Sequence, residues 1–183
     1  MYKTVVFDLD GTLLNTLTDL ADAGNRLCRK YGWPTHERQA YRYFVGNGIP
    51  KLVERLAPAD QRTPAVLEAA LADFKRDYGQ HLRDTTAPYP GIPEMLAKLK
   101  ANGVQLAVFS NKADALAKEV VKDYFGTQYF TIVRGQMTGV APKPAAEGTN
   151  ALLQALHADP ASTLYVGDSL SLIHISEPTR SEP

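Results

Sequence analysis

The sequence predicts an α/β fold: a parallel, Rossmann-like sheet interrupted by an all-helical insertion. Three observations indicate this fold. Short β-branched apolar runs recur along the chain, helix-like stretches lie between them, and a long segment near the N-terminus has helical patterns without a strand. Strands that alternate with helices form parallel sheets joined by right-handed crossovers. The helical segment falls between the first and second strands, so we expect it to be an insertion.

Four short runs have the apolar, β-branched composition of buried parallel strands. They are Thr4 to Phe7, Val104 to Phe109, Phe130 to Val133 and Thr163 to Val166. Three helix-like stretches accompany them: Ile92 to Lys100, Ala113 to Tyr124 and Ala145 to His157. Pro93 near the start of the first stretch and Gly103 just past its end are typical of helix boundaries. We expect residues 1–14 and 89–169 to form the α/β core.

Residues 15–88 hold helical patterns but no convincing strand. The predicted helices are Thr16 to Lys30, Glu37 to Phe44, Ile49 to Leu56 and Pro64 to Leu82. Apolar residues in the first of them follow the three-and-four spacing of a buried helix face. We expect this segment to form a helical cap over the carboxyl ends of the strands, where open α/β sheets bind ligands.

The composition argues against several classes of partner. The chain has 20 basic and 20 acidic residues, so nothing favours binding to nucleic acid or an anionic membrane. No apolar run approaches the roughly 20 residues that span a bilayer. The single cysteine, Cys28, fits a reducing compartment and a structural role. Because the N-terminus also leaves no room for a signal peptide, we expect a cytoplasmic protein.

Two aspartates follow the first strand. Asp8 and Asp10 are two residues apart, and Gly11 then allows a sharp turn. Carboxylates packed so closely need a cation or a shared proton. The alternative is an acidic turn whose side chains cap the following helix.

Residues suited to binding phosphate follow the later strands. Ser110 offers a hydroxyl, together with the amides of the turn expected after it. Lys143 is a cation between two prolines, and Pro144 stiffens the turn that holds it. Asp168 places another carboxylate at the end of the last strand. Singly these residues could be a helix cap, a solvated charge and a turn former, but together at strand ends they predict a phosphate site.

In chain order these residues resemble the motifs of the haloacid dehalogenase superfamily. The matching residues are Asp8-Leu9-Asp10-Gly11-Thr12, Ser110-Asn111, Lys143 and Gly167-Asp168-Ser169. Within the superfamily, the chain resembles phosphatases with a helical cap inserted after the first motif. The segments similar to the phosphoglycolate phosphatase branch are Phe44 to Gly48, Pro88 to Gly91 and Ser110-Asn111-Lys112.

This resemblance implies a phosphomonoester hydrolase that forms an aspartyl-phosphate. Asp8 would be the nucleophile, and Asp10 would protonate the leaving oxygen and later activate water. Mg²⁺ would be held by the Asp8 carboxylate, the Asp10 main-chain carbonyl and Asp168. The implied phosphate-binding residues are Gly11, Thr12, Ser110, Asn111 and Lys143.

The cap is expected to select the substrate, a small phosphorylated metabolite such as 2-phosphoglycolate. The turn Gly46-Asn47-Gly48 can approach a ligand closely, and Arg42 or Lys51 could meet a substrate carboxylate. The alternative, given equal weight, is that the glycines only break two helices and both cations are solvated. We expect the protein to be a monomer or weak dimer.

The chain departs from the family pattern after Ser169. Leu172 and Ile173 stand where a further acidic residue is expected, and residues 170–183 show no helical period. We expect these residues to be a non-native tail in which His174 has no catalytic role. The last core helix and strand would then be missing, and this chain would be poorly stable and weakly active or inactive.

Two other functions stay open at this point. A phospho-acceptor signalling domain also gathers Asp, Ser or Thr, and Lys at strand ends, although the paired aspartates and the long helical insertion argue against it. The other alternative is an inactive, truncated fragment of the phosphatase.

Overall fold

The computed structural model describes residues 2–168. The strands are β1 (Thr4–Phe7), β2 (Leu14–Asn15), β3 (Ala87–Pro88), β4 (Gln105–Ala113), β5 (Phe130–Gln136) and β6 (Thr163–Val166). The α-helices are α1 (Leu17–Tyr31), α2 (Tyr41–Phe44), α3 (Ile49–Leu56), α4 (Pro64–His81), α5 (Ile92–Ala101), α6 (Asp114–Phe125) and α7 (Ala146–Leu156). The predicted tail and His174 lie outside the described residues, as do any final helix and strand.

Four parallel strands form the main sheet, in the order β5-β4-β1-β6. β1 pairs with β4 from Thr4 opposite Gln105 to Phe7 opposite Val108. On its other side β1 pairs with β6, from Thr4 opposite Thr163. The predicted parallel α/β fold is therefore confirmed. β1 has a neighbouring strand on each side. Asp8, the residue that follows β1, therefore lies at the carboxyl-terminal end of the sheet and between its two outer strands.

The described residues divide into two compact units. Residues 2–14 and 88–168 form the sheet unit, and Asn15–Ala87 form the helical unit. No helix in residues 2–168 is both long and apolar enough to cross a bilayer.

Apolar residues of β1, β4 and α7 pack together in the sheet unit. The buried cluster consists of Val6, Ala107, Phe109, Leu152 and Leu156. α7 approaches the sheet closely at Gly148, where an added Cβ would lie 2.7 Å from the Phe109 ring. Loss of a large side chain from such a core costs about 2–5 kcal/mol. This packing holds β1 and β4 in place, and site residues project from the carboxyl-terminal parts of these strands.

The helical unit is built around the buried face of α1. Gly24 lets the ring of Tyr41 pack against this helix, since a Cβ there would lie 2.5 Å from the Tyr41 hydroxyl. That hydroxyl donates to Asn25 Oδ1 at 3.0 Å. Cys28 on the same face is fully buried, and burial raises the pKa of its thiol to about 11. The thiol is therefore protonated at neutral pH, which supports the structural role.

Two local features differ from the predictions. β4 runs on to Ala113, so Ser110 lies in a strand and not before a turn. The pairing of β4 with β5 shifts register between Phe109 and Ala113. The segment predicted as a helix over 37–44 is a 3₁₀ turn at Arg38–Ala40 followed by the short α2.

Candidate active site

Asp8 lies at the end of β1, with only 6% of its surface exposed. Its amide donates to Val166 O at 2.8 Å, which continues the pairing with β6. The carboxylate accepts from Leu9 N–H at 2.7 Å through Oδ1 and lies 2.9 Å from Lys143 Nζ through Oδ2. Burial raises the pKa of Asp8, and the neighbouring Lys143 ammonium opposes that rise. Lys143 therefore favours the ionised form that a nucleophile needs.

Lys143 is buried beside Asp8, and other residues fix its position. Its Nζ also donates to Phe109 O at 2.8 Å. The side chain of Asn111 contacts the Lys143 main chain in both directions: Oδ1 accepts from Lys143 N–H at 2.9 Å, and Nδ2 donates to Lys143 O at 3.4 Å. These contacts indicate that Asn111 holds the lysine in place, while its predicted contact with phosphate stays a prediction.

The turn after Asp8 is tight and is closed by main-chain hydrogen bonds. Leu9 O accepts from the amides of residues 12, 13 and 14, and Gly11 N–H donates to Leu14 O at 2.9 Å. Gly11 has φ of +79°, a conformation that other residues adopt at a cost. Thr12 Oγ1 is buried without a hydrogen-bond partner among residues 2–168. A buried hydroxyl in that condition suits a ligand oxygen.

Asp168 lies directly against this turn. A Cβ added to Gly11 would lie 2.1 Å from Asp168 Oδ2, so only glycine leaves room for the carboxylate. Burial raises the pKa of Asp168, and the negative charges of Asp8 and Asp10 raise it further. The structure thus brings three acidic residues of the predicted site together.

The donor set fits a magnesium ion. No group of three or more His, Cys, Asp or Glu side chains in the described part of the chain is arranged to hold a metal. The predicted ligands include only two carboxylates, those of Asp8 and Asp168, with the main-chain carbonyl of Asp10 as the third. Repulsion between carboxylates at the site is relieved by a cation, and Mg²⁺ prefers such oxygen ligands with water completing an octahedron.

The side chain of Asp10 is instead paired with a lysine that the sequence reasoning did not assign to the site. Lys112 Nζ lies 3.0 Å from Asp10 Oδ1 and donates to Oδ2 at 3.1 Å. Ser110 is buried, and its hydroxyl accepts from Lys112 N–H at 3.1 Å. Residues two apart lie on the same face of a strand. A predicted strand that continued past Phe109 would therefore have indicated that Ser110 and Lys112 share a face.

In the helical unit, two of the residues predicted to select the substrate already have partners. Asn47 Oδ1 accepts from Arg55 Nη2 at 2.9 Å, and Lys51 pairs with Glu54 at 2.7 Å. Arg42 is exposed. Gly46 and Gly48 have φ of +99° and +84°, so the turn itself requires glycines. Contact of these residues with a substrate stays a prediction.

Comparison with known proteins places the chain in a family. Residues 5–177 match the family model described as haloacid dehalogenase-like hydrolase. A phosphoglycolate phosphatase of Thiobacillus denitrificans is 32% identical over 172 residues, which cover 92% of this chain and 76% of that protein. The phosphoglycolate phosphatase of Neisseria meningitidis is 34% identical over 170 residues, covering 91% and 72%.

Solved structures share the fold. The crystal structure of a predicted phosphoglycolate phosphatase from Haemophilus somnus superposes with a TM-score of 0.85 at 27% identity. The match covers 96% of this chain and 80% of that one. The extent of the family match and the identity to these relatives together decide the assignment. The chain belongs to the haloacid dehalogenase-like hydrolases and is a phosphatase of that family.

Proposed function

We propose that the chain is a magnesium-dependent phosphomonoester hydrolase that transfers the phosphoryl group of 2-phosphoglycolate to Asp8 and then to water. The observation that carries this proposal is the buried Asp8 carboxylate at the end of the central strand, 2.9 Å from Lys143 Nζ. Asp10 follows Asp8 by two residues, and Asp168 Oδ2 lies where it would be 2.1 Å from a Cβ added to Gly11 of the same turn. These residues offer a candidate nucleophile, a cation and two further carboxylates within one site.

The reaction has two steps. A carboxylate oxygen of Asp8 attacks phosphorus while the ester P–O bond breaks, and Asp10 gives its proton to the leaving oxygen. A water molecule then attacks the aspartyl-phosphate, Asp10 takes a proton from that water, and Asp8 leaves as a carboxylate. Each step moves one proton through Asp10, which therefore acts first as an acid and then as a base.

Charge on the phosphoryl group is the main quantity that this site must stabilise. Lys143 supplies a buried ammonium that two protein oxygens already orient. Ser110 and Thr12 add hydroxyl groups, and the Thr12 hydroxyl has no hydrogen-bond partner within residues 2–168. Mg²⁺, when held by Asp8, Asp168 and the Asp10 carbonyl, would neutralise phosphoryl oxygens.

The choice of 2-phosphoglycolate rests on the relatives, which carry the name phosphoglycolate phosphatase at 32% and 34% identity. The substrate has a carboxylate as well as a phosphate, and Arg42 is an exposed cation in the helical unit. We propose that this unit is the cap and that Arg42 with the turn at 46–48 contacts that carboxylate. A cytoplasmic location and a monomeric or weakly dimeric state also stay predictions.

The test is release of phosphate from 2-phosphoglycolate by the 183-residue chain in the presence of Mg²⁺. Asp8→Asn keeps the shape but removes the nucleophile, so turnover should fall by at least about a thousandfold. Asp60→Asn alters an exposed aspartate of the helical unit and should leave the rate unchanged. Chelation of Mg²⁺ should abolish the activity.

Equal rates for the chain and Asp8→Asn would contradict the assignment of the nucleophile. A stable phosphoaspartate without turnover would favour a phospho-acceptor domain, and an absence of both phosphorylation and turnover would favour an inactive fragment.

A further inference from the structure

We propose that Lys112 is a positioning residue for Asp10, holding the carboxylate in the orientation from which it protonates the leaving oxygen. This inference rests on the proposed function and deepens it, because it assigns a residue to the proton-transfer part of the site. Lys143 then contacts the proposed nucleophile, Asp8, and Lys112 contacts the proposed acid and base, Asp10.

The contact between the two side chains involves both oxygens of the carboxylate. Lys112 Nζ lies 3.0 Å from Asp10 Oδ1 and 3.1 Å from Oδ2, so rotation of the carboxylate would break at least one contact. The Lys112 side chain is 3% exposed and the Asp10 side chain is 21% exposed. The ammonium therefore lies on the inner side of the pair, and the carboxylate lies on the outer side.

The two oxygens of Asp10 differ in their hydrogen bonding. Oδ2 accepts from Lys112, whereas Oδ1 is buried and accepts no hydrogen bond from any described residue, although the ammonium is near it. The ammonium therefore holds one oxygen by a hydrogen bond and lies close to the other, which fixes the orientation of the carboxylate.

The backbone that carries Lys112 is itself closely packed. Lys112 N–H donates to Ser110 Oγ at 3.1 Å. A Cβ on Gly135 of the neighbouring strand would lie 2.4 Å from Lys112 O, so β5 approaches β4 here as only glycine allows. The Gly135 amide donates to Asp114 Oδ1 at 2.9 Å. Because its backbone is held in place, Lys112 can keep the Asp10 carboxylate in one orientation.

A purely structural ion pair is the competing explanation. Buried pairs contribute little net stability, although removal of one partner leaves the other charge uncompensated. Activity loss alone would not separate the two explanations, since an unstable variant also loses activity. The leaving group separates them, because an alkoxide needs a proton as the P–O bond breaks and a nitrophenolate does not.

The experiment compares kcat/KM for 2-phosphoglycolate and 4-nitrophenyl phosphate in the 183-residue chain and its variants. For Lys112→Met, kcat/KM for the alkyl ester should fall by about a hundredfold, chiefly through kcat, and that for the aryl ester should fall far less. Lys118→Met is the matched control, since Lys118 is an exposed lysine paired with Asp114 on α6, and both esters should react at the rates of the unchanged chain.

Asp10→Asn separates failure of the inference from failure of the proposed function. It should show the same preference for the aryl ester, and more strongly. If it does and Lys112→Met slows both esters equally or neither, the inference is overturned and the role of Asp10 stands. If Asp10→Asn slows both esters equally, or if the unchanged chain releases no phosphate, the proposed acid role fails and the inference fails with it.

A second variant keeps the inference testable if Lys112→Met does not fold. Lys112→Gln keeps a hydrogen-bond donor in the pocket, and its folded fraction can be measured by circular dichroism. Per folded molecule, it should show the same preference for the aryl ester to a smaller degree. Equal slowing of both esters in Lys112→Gln would overturn the inference in the same way.

Discussion

At the scale of single residues, the candidate site consists of groups predicted to act on phosphate and groups that hold them. Asn111 fixes the Lys143 main chain, and Lys112 contacts both oxygens of Asp10. The sequence predicted the first group, because acidic and basic residues at strand ends suggest phosphate chemistry, and it named Asn111 as a phosphate ligand. It did not predict either holding contact, since contacts such as that between residues 10 and 112 depend on which strands are neighbours.

The contact of Lys112 with Asp10 was missed for a specific reason. The apolar run ends at Phe109, which predicted a strand ending there, yet β4 extends to Ala113 through a register irregularity against β5. The hydrophobic pattern reports burial by apolar groups. It does not report a strand whose polar side chains are buried, as those of Ser110, Asn111 and Lys112 are.

Gly11 gives a test at this scale. Gly11→Ala should nearly abolish turnover, because its Cβ would lie 2.1 Å from Asp168 Oδ2 and would displace that carboxylate. The left-handed backbone adds a cost of about 1–2 kcal/mol. Phosphate release per folded molecule, measured across a range of Mg²⁺ concentrations, would show lower activity and a higher Mg²⁺ requirement.

Gly103→Ala is the matched control for that variant. Gly103 has φ of +74°, close to that of Gly11, but a Cβ there would meet nothing within 4 Å. It should cause similar backbone strain and leave turnover per folded molecule unchanged. Similar activity in the two variants would contradict a close contact between Gly11 and Asp168.

At the scale of elements, a buried carboxylate joins the two ends of the helical unit. Asp19 in the first turn of α1 is 2% exposed. It accepts from the amide and hydroxyl groups of Thr85 and Thr86, near the C-terminal end of the same unit. The amphipathic pattern of α1 predicted the helix well. It did not indicate that an aspartate on that helix would be buried.

Asp19→Ala should lower the free energy of unfolding by about 3 kcal/mol, since it removes charged hydrogen bonds and leaves Thr86 groups buried with fewer partners. Chemical denaturation followed by circular dichroism measures the change. Asp22→Ala alters an exposed aspartate on the same helix and should change stability by less than about 0.5 kcal/mol. Equal destabilisation by the two substitutions would show that the Asp19 contacts are not stabilising.

The long elements follow from sequence period, and the short ones do not. Runs such as Thr4–Phe7 and helices such as α4 repeat their pattern often enough to be recognised. The two-residue strands β2 and β3 and the 3₁₀ turn at Arg38–Ala40 each span only one period, so no pattern repeats in their sequences and they carry no comparable signal.

At the scale of the whole molecule, the parallel sheet explains why residues far apart in the sequence meet. The carboxyl ends of parallel strands lie at the same end of the sheet. Asp8 after β1, Ser110 in β4 and Asp168 after β6 are therefore in the same region. Lys143 comes from the segment before α7 and reaches Asp8 through the contacts made by Phe109 and Asn111. The fold was predictable because strand composition and alternation determine this arrangement, whereas individual contacts depend on register.

The central claim is that Asp8 carries the phosphoryl group during turnover. The direct measurement is acid quenching of the chain mixed with 2-phosphoglycolate and Mg²⁺, followed by mass spectrometry of the peptide that contains Asp8. We expect one phosphoryl group on Asp8 in the unchanged chain and none in Asp8→Asn. In Asp10→Asn phosphorylated with 4-nitrophenyl phosphate, the phosphoryl group on Asp8 should be retained for longer. Turnover by the unchanged chain with no phosphoryl group on Asp8, or with one on another residue, would contradict the account.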